Sequence, residues 1–146
     1  MANPIKTAIV EDEKACSDQL KKYLERYSEE NGVETETHIY PDGDKFLSSG
    51  LIFDVIFMDI EMPGSDGLSV VRRLRQTDED VIVFFVTRLA QYAVNGYEVR
   101  AFDFMVKPVS YYDFAIKFSR AVESMAGRRK REIWVRSRQG KKLVTA

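Results

Sequence analysis

The sequence is poor in cysteine and histidine and has no long apolar run, and each shortage excludes a class of protein. Cys16 is the single cysteine among 146 residues, so an internal disulfide bond is impossible and a reducing compartment is favoured. The N-terminus lacks a signal-peptide pattern, and no apolar stretch is long enough to span a bilayer. His38, the sole histidine, has no metal-binding neighbours along its alternating segment, so we expect it at the surface. These shortages predict a soluble, cytoplasmic protein without membrane contact.

Charge is unevenly distributed along the chain, although the formal net charge is only -1. Residues 126–146 contain eight of the 22 basic residues and one of the 23 acidic ones, a net charge of +7, whereas the first 125 residues carry -8. That acidic part is large enough to bury one core. We therefore expect a domain over 1–125 and a separate basic segment over 126–146, with the boundary near Ala126 and Gly127.

Apolar runs typical of strands alternate with segments at helical spacing. Strands are predicted over 7–10, 34–40, 55–58, 81–86 and 102–106. Helices are predicted over 16–31, 44–47, 67–75, 91–97 and from the capping box at Ser110 to about residue 125. Crossover helices force neighbouring strands to pair in parallel, so the fold class is α/β, a doubly wound parallel five-stranded sheet.

Polar side chains mark the carboxyl ends of the predicted strands. The third strand is apolar over 55–58 and runs directly into Asp59. The residues that end the other strands are also polar, namely Glu11 with Asp12, Thr87, and Lys107. Because parallel strands all point the same way, these side chains are expected together at the sheet edge where open α/β sheets bind ligands. An aspartate that only caps the following turn is the alternative interpretation of Asp59.

The residue types at this edge fit a phosphoryl site with a magnesium ion. Carboxylate oxygens suit Mg²⁺, which keeps several of its waters and needs few protein ligands. Glu11, Asp12 and Asp59 are the candidate ligands, and Glu61, two residues after Asp59, is counted with them. A lysine and a hydroxyl beside the metal complete a cradle for a phosphoryl group.

Taken together, these residues make the chain similar to the receiver domain of two-component response regulators over about residues 5–125. The resemblance implies a flavodoxin-like (βα)5 fold and phosphorylation of Asp59 by a sensor histidine kinase. It also implies that Glu11 and Asp12 are the acidic pair that holds Mg²⁺. Apart from its own phosphotransfer and slow dephosphorylation, such a domain is not an enzyme.

The resemblance extends to the residues that transmit the signal. It identifies Thr87 as the switch hydroxyl, Phe104 as the switch aromatic and Lys107 as the lysine that pairs with the phosphoryl group. It implies a cis peptide bond between Lys107 and Pro108, where a cis form is least costly. It further implies that phosphorylation changes the face around the fifth strand and promotes a homodimer.

Two positions depart from the family pattern. Glu11 stands where aspartate is also common, and its extra methylene implies a water-mediated role on the metal. Arg88 follows Thr87 where the family has a small residue, so we expect a charged gate in which Arg88 pairs with Glu61 across the mouth of the site. An inward guanidinium that holds a phosphoryl oxygen, or an arginine in solvent, are the alternatives.

The basic tail has a different pattern from the rest of the chain. Residues 132–138 and 141–144 are predicted as two strands around Gln139 and Gly140. They weakly resemble the first strands of LytTR-type DNA-binding domains, so 126–146 is expected to be a linker and the start of a truncated output domain. Arginines and lysine over 128–131 are interpreted as a solvated linker rather than a working nucleic-acid site. DNA binding is expected only through the missing output domain.

Two other functions remain open. A receiver-like binding module that works without phosphorylation has the same residues and differs only in its response to a phosphodonor. A phosphatase of the haloacid dehalogenase type also uses an aspartate nucleophile, but places it on the first strand with a second Asp two residues later. Here the aspartate is on the third strand and the later residue is Glu61.

Overall fold

A single sheet of parallel strands forms the centre of the computed structural model. Its strands are Ile5–Val10 (β1), Thr35–Tyr40 (β2), Val55–Asp59 (β3), Ile82–Thr87 (β4) and Asp103–Val106 (β5). They pair in the order β2-β1-β3-β4-β5, and every pairing is parallel. The predicted doubly wound five-stranded α/β sheet is confirmed, with β3 between β1 and β4.

The structure describes residues 3–62, 64, 66–88 and 97–138, with the backbone alone for Tyr97 and for 129–138. The helices are Lys14–Asn31 (α1), Gly43–Ser48 (α2), Gly67–Leu74 (α3) and Tyr111–Arg138 (α4), and a 3-10 turn covers Tyr97–Val99. Apart from Tyr97, the helix predicted over 91–97 lies outside the described residues. Within the described parts, every helix is too short or too polar to cross a bilayer.

The helix ends follow from local capping chemistry. Gly32 ends α1 with a φ of 64°, a left-handed conformation that glycine adopts without steric cost. The Asp66 side chain begins α3 by accepting a hydrogen bond of 2.9 Å from the Ser69 N–H. The Ser110 hydroxyl accepts one of 3.1 Å from the Asp113 N–H, which confirms the predicted start of α4.

Two apolar cores lie on the two faces of the sheet. Every residue of β3 and β4 is buried, which explains their unbroken apolar sequences. On one face α4 stacks Phe114 and Phe118 against Phe57, with ring centroids 5.6 and 6.1 Å away. On the other face α2 and α3 pack with Phe46, Val70 and their neighbours. The sheet is thus covered on both faces.

The C-terminal helix α4 is longer than the sequence predicted. It continues through Arg138, so the strand predicted over 132–138 is wrong. A helix satisfies its backbone hydrogen bonds internally, and the arginines and lysine over 128–131, which are good helix formers, carry α4 into this stretch. The helix also crosses the predicted boundary near Gly127 without a break. The second predicted strand, 141–144, lies outside the described residues, and the division of the chain at residue 125 stays a prediction.

Arg75 joins two turns at the amino ends of the strands, the opposite end of the sheet from Asp59. Its side chain is almost fully buried, and its guanidinium donates hydrogen bonds of 2.7–3.3 Å to five backbone carbonyl oxygens, those of Asp78, Glu79, Val81, Val99 and Arg100. The first three lie before β4 and the last two lie before β5. A single side chain therefore holds the entries to two adjacent strands in register.

We expect Arg75→Ala to lower the free energy of unfolding by about 2–4 kcal/mol, because carbonyls at both turns lose a charged donor. Arg73→Ala is the matched control, since Arg73 lies on the exposed side of α3 and its loss should change stability by less than about 0.5 kcal/mol. Urea denaturation of both variants measures the difference. Equal losses would contradict the role of Arg75.

Candidate functional site

Asp59 ends the central strand β3, and its carboxylate is held close to the backbone that follows. The side chain is 3% exposed, and its Oδ1 accepts a hydrogen bond of 3.1 Å from the Glu61 N–H. The first residue of α3, Gly67, packs directly on the end of this strand. A Cβ at position 67 would lie 2.2 Å from the Asp59 carbonyl oxygen, so a residue with a side chain does not fit there. The position of Asp59 is thus set by both strand and loop.

Lys107 follows β5 and reaches back across the sheet edge to the carboxylates. Its Nζ lies 2.8 Å from Glu11 Oε1 and 3.3 Å from Asp59 Oδ2. Its backbone N–H donates a hydrogen bond of 2.8 Å to the Thr87 carbonyl, which ties it to the end of β4. The expected cis peptide bond between Lys107 and Pro108 is present. The predicted convergence of three strand ends on Asp59 is therefore seen in the geometry.

Glu11 supplies the observation that tests for a metal ion. The residue is 3% exposed, and its Oε2 accepts a hydrogen bond of 3.1 Å from the Glu13 N–H. Its Oε1 is in ion-pair contact with Lys107, yet no described group donates a well-directed hydrogen bond to that atom. Lys107 offsets part of the cost of burying this charge, and the lone pairs that it leaves unused suit a second cation. The residue thus fits a hard divalent cation such as Mg²⁺.

The carboxylates that come together are not quite those that the sequence predicted. Glu11, Glu13 and Asp59 each place an oxygen within 4.8 Å of the others. Asp12 is exposed beside this cluster, and Glu61 is exposed after Asp59. Glu13 is the residue that sequence reasoning missed. The sequence marks Glu13 only as the last residue of the acidic run 11–13. In the structure it stands at the start of α1, where its side chain makes no capping hydrogen bond.

The electrostatics of the cluster follow from burial and an excess of negative charge. Burial, reinforced by the nearby Glu11 carboxylate, raises the pKa of Asp59 to about 7 despite the attraction of Lys107. Burial acts to lower the pKa of Lys107, but the close ion pair with Glu11 and the charge of Asp59 outweigh it, and the pKa is raised. Lys107 is therefore cationic, and the site favours additional positive charge.

Arg88 has a different partner from the one predicted. Its guanidinium donates two hydrogen bonds, of 2.8 and 3.0 Å, to the two carboxylate oxygens of Glu13. The predicted pairing with Glu61 is wrong, because Glu13 faces Arg88 across the end of β3 whereas Glu61 is exposed to solvent. The hydrogen bond from Arg88, with the attraction of Lys107, lowers the pKa of Glu13 to about 2.

The two residues predicted to transmit the signal lie on neighbouring strands. Thr87 ends β4 and is fully buried, and in the parallel register it pairs with Val106. Phe104 pairs with Phe85, and the centroids of their rings are 5.4 Å apart. Phe104 is only partly buried, so its ring sits between the core and solvent. Both residues are therefore close to the strand ends that form the site.

The comparisons of this sequence with known proteins agree with one another. Residues 7–117 match the family described as response regulator receiver domain. The chain is 30% identical over 131 residues to the sensory transduction protein LytT of Oceanobacillus iheyensis, covering 85% of this chain and 50% of that protein. It is 32% identical over 107 residues to the transcriptional regulatory protein YpdB of Escherichia coli, covering 71% of this chain and 42% of that protein.

The fold comparison agrees with the sequence comparison. A CheY-like response regulator receiver domain protein from Methanospirillum hungatei superimposes with a TM-score of 0.76 at 21% identity, over 86% of this chain and 99% of that one. This likeness shows the flavodoxin-like fold. The chain spans about half the length of the curated relatives it matches.

We expect Asp59→Asn to stabilise the metal-free protein at neutral pH by on the order of 2 kcal/mol. A raised pKa means that ionising Asp59 costs stability: the cost is absent below the ordinary value of 3.8 and complete above about 7. The gain should therefore disappear as the pH falls through this window. Urea denaturation with a chelator at pH 4–8 measures it, with Asp18→Asn on the half-exposed face of α1 as the control. A pH-independent gain would contradict the assignment.

Proposed function

This chain belongs to the response regulator receiver domain family, and from that premise we propose that it accepts a phosphoryl group on Asp59 and thereby switches an output. The observation that carries the proposal is the buried contact of Lys107 Nζ with both Asp59, at 3.3 Å, and Glu11, at 2.8 Å. Receiver domains are signalling domains that interact with sensor histidine kinases, rather than metabolic enzymes. The proposed donor is accordingly a phosphohistidine on such a kinase, and the proposed location is the cytoplasm.

The proposed step is an in-line phosphoryl transfer. A carboxylate oxygen of Asp59 forms a bond to phosphorus, the bond from phosphorus to the donor imidazole breaks, and an acyl phosphate results. Lys107 remains cationic and neutralises charge on the phosphoryl oxygens, while the backbone N–H of Glu61 supports the carboxylate. Mg²⁺, when bound by Asp59 and the acidic residues over 11–13, supplies further positive charge beside those oxygens.

The proposed output follows from the added charge. A phosphoryl group on Asp59 offers new acceptor oxygens, which attract the Thr87 hydroxyl toward the site. Movement at Thr87 changes the space available to the partly buried Phe104 ring on the adjacent strand. A local electrostatic change thereby biases a two-state element on the face around β5.

The downstream process that we propose is regulation of transcription. The chain is similar to proteins named as transcriptional regulators, and it covers less than half of their length. DNA contact is proposed for an output domain following the receiver, with 126–146 as its linker and first part. The receiver site itself supplies only the phosphorylation-dependent switch.

We expect acetyl phosphate with Mg²⁺ to add one phosphoryl group to the protein, because Asp59 is the carboxylate that Lys107 and the acidic cluster surround. Asp59→Asn should fold and remain unlabelled, while Glu61→Gln, which removes an exposed carboxylate two residues away, should still be labelled. Intact-protein mass spectrometry, with and without a chelator, measures the result. Labelling that survives in Asp59→Asn would contradict the site.

Other outcomes of this experiment support the alternative functions. An unlabelled but folded wild-type protein would favour a binding module that works without phosphorylation. Steady turnover of a phosphate ester, rather than a single slow hydrolysis of the acyl phosphate, would favour a phosphatase. Either result would overturn the proposed function.

Exposed apolar side chains on β5, just before it and at the start of α4 are the proposed surface for self-association. They are Phe102, Val106, Tyr112 and Ile116, exposed by 37–80%. We expect beryllium fluoride with Mg²⁺ to shift the protein toward a dimer in light scattering, and Ile116→Asp to prevent the shift by burying a charge. Ile52→Asp is the matched control, because Ile52 is 78% exposed in a different region. A monomer under all conditions would contradict the surface.

A further inference from the structure

An ion pair at the surface closes over the buried site. Arg88 Nη1 and Nη2 donate to Glu13 Oε1 and Oε2 at 2.8 and 3.0 Å, a bidentate geometry that is more specific than a single contact. Both side chains are substantially exposed, by 61% for Arg88 and 40% for Glu13. The pair thus lies at the boundary between the site and solvent.

The sheet topology places this pair directly above Asp59. Glu13 follows β1 and Arg88 follows β4, and these are the two strands that flank β3. A contact between the loops after β1 and β4 must therefore cross the carboxyl end of β3. The side chains agree with the topology, because Glu13 Oε1 is also 3.4 Å from Lys107 Nζ, and Glu13 has an oxygen within 4.8 Å of an Asp59 oxygen.

Glu13 is placed to hold Arg88 rather than to serve the helix. It occupies the capping position of α1, yet its side chain accepts no capping hydrogen bond. Both of its oxygens instead accept hydrogen bonds from Arg88, and Oε1 is also 3.4 Å from Lys107 Nζ. This one carboxylate therefore bridges a cation of the buried site and a cation of the surface.

We propose that the Glu13–Arg88 pair is a gate that limits access to Asp59 for both phosphodonors and the water that hydrolyses the acyl phosphate. The inference deepens the proposed function and rests on it, since it concerns the rates of that same reaction. In the closed state the paired side chains cover the end of β3. In the open state the Arg88 side chain points into solvent, and Glu13 stays beside the acidic cluster without this partner.

The exposure of the pair decides how strong the gate is. Exposed ion pairs change an equilibrium by about fivefold at most, so the gate opens frequently and slows the reaction without preventing it. The same exposure makes it sensitive to salt, because the interaction between exposed charges is screened. The closed pair consequently sets a slow, salt-dependent rate in both directions of the phosphorylation cycle.

Substitutions that remove one or both charges of the pair separate a gate from a simple electrostatic effect. Glu13→Gln makes the site more positive, Arg88→Gln makes it more negative, and the double variant leaves the net charge unchanged. A gate predicts that all three variants accelerate labelling of Asp59 by acetyl phosphate, by roughly two- to fivefold. An effect of local charge alone predicts opposite changes in the two single variants and a wild-type rate in the double variant.

The experiment measures labelling and dephosphorylation rates by mass spectrometry, at Mg²⁺ concentrations that calorimetric titration shows to be saturating for each variant. Both rates should rise together, and high salt should accelerate the wild type but not the double variant. Arg72→Gln is the matched control. Arg72 lies on α3, outside the site, is 58% exposed and pairs with Glu98 at 3.5 Å. The Arg72→Gln variant should leave both the labelling and the dephosphorylation rate unchanged.

Two results would overturn the gate. One is a double variant whose two rates are within about 1.5-fold of wild type, below the twofold gain that the gate requires. The other is slower labelling in Arg88→Gln, which would make the guanidinium a phosphate-binding group instead. Absence of labelling in the wild type is a separate result that overturns the proposed function itself.

Discussion

The site depends on one buried ammonium group between two buried carboxylates. Lys107 Nζ lies 2.8 Å from Glu11 and 3.3 Å from Asp59, and each of these three side chains is at most 6% exposed. Taking an ion out of water costs several kcal/mol unless an opposite charge compensates it, so the carboxylates require the lysine. Burial, together with a second carboxylate that one cation does not balance, raises the pKa of Asp59. The same imbalance makes the site receptive to a divalent cation.

Buried contacts of neighbouring residues hold this arrangement in place, and an ion pair covers it at the surface. Gly67 lets α3 pack against the carbonyl of Asp59, and Arg75 holds the turns that lead into β4 and β5. These interactions are buried and therefore rigid. The pair of Glu13 with Arg88 is exposed, and an exposed ion pair is weak. The chemistry is thus held in fixed geometry while the surface above it remains adjustable.

Much of the fold was predictable because the sheet is buried on both faces. Uninterrupted apolar runs identified β3 and β4, and alternation with helices implied parallel pairing. The end of the chain was not predictable in this way. The stretch 132–138 has a period compatible with a strand, but it continues the helix α4 to Arg138, in which backbone hydrogen bonds are made within the segment itself. Local pattern failed where the choice depended on available hydrogen-bond partners.

The sequence by itself determined that Asp59 and Lys107 meet, because side chains at the carboxyl ends of parallel strands share one edge whatever the details of packing. Only the tertiary structure decided which charged side chains around the site contact one another. Glu13 rather than Glu61 pairs with Arg88, and Glu13 joins the carboxylate cluster beside Asp59. These contacts depend on where long side chains on loops and helix starts point. Strand periodicity carries no information about that direction, since it ends where the strand ends.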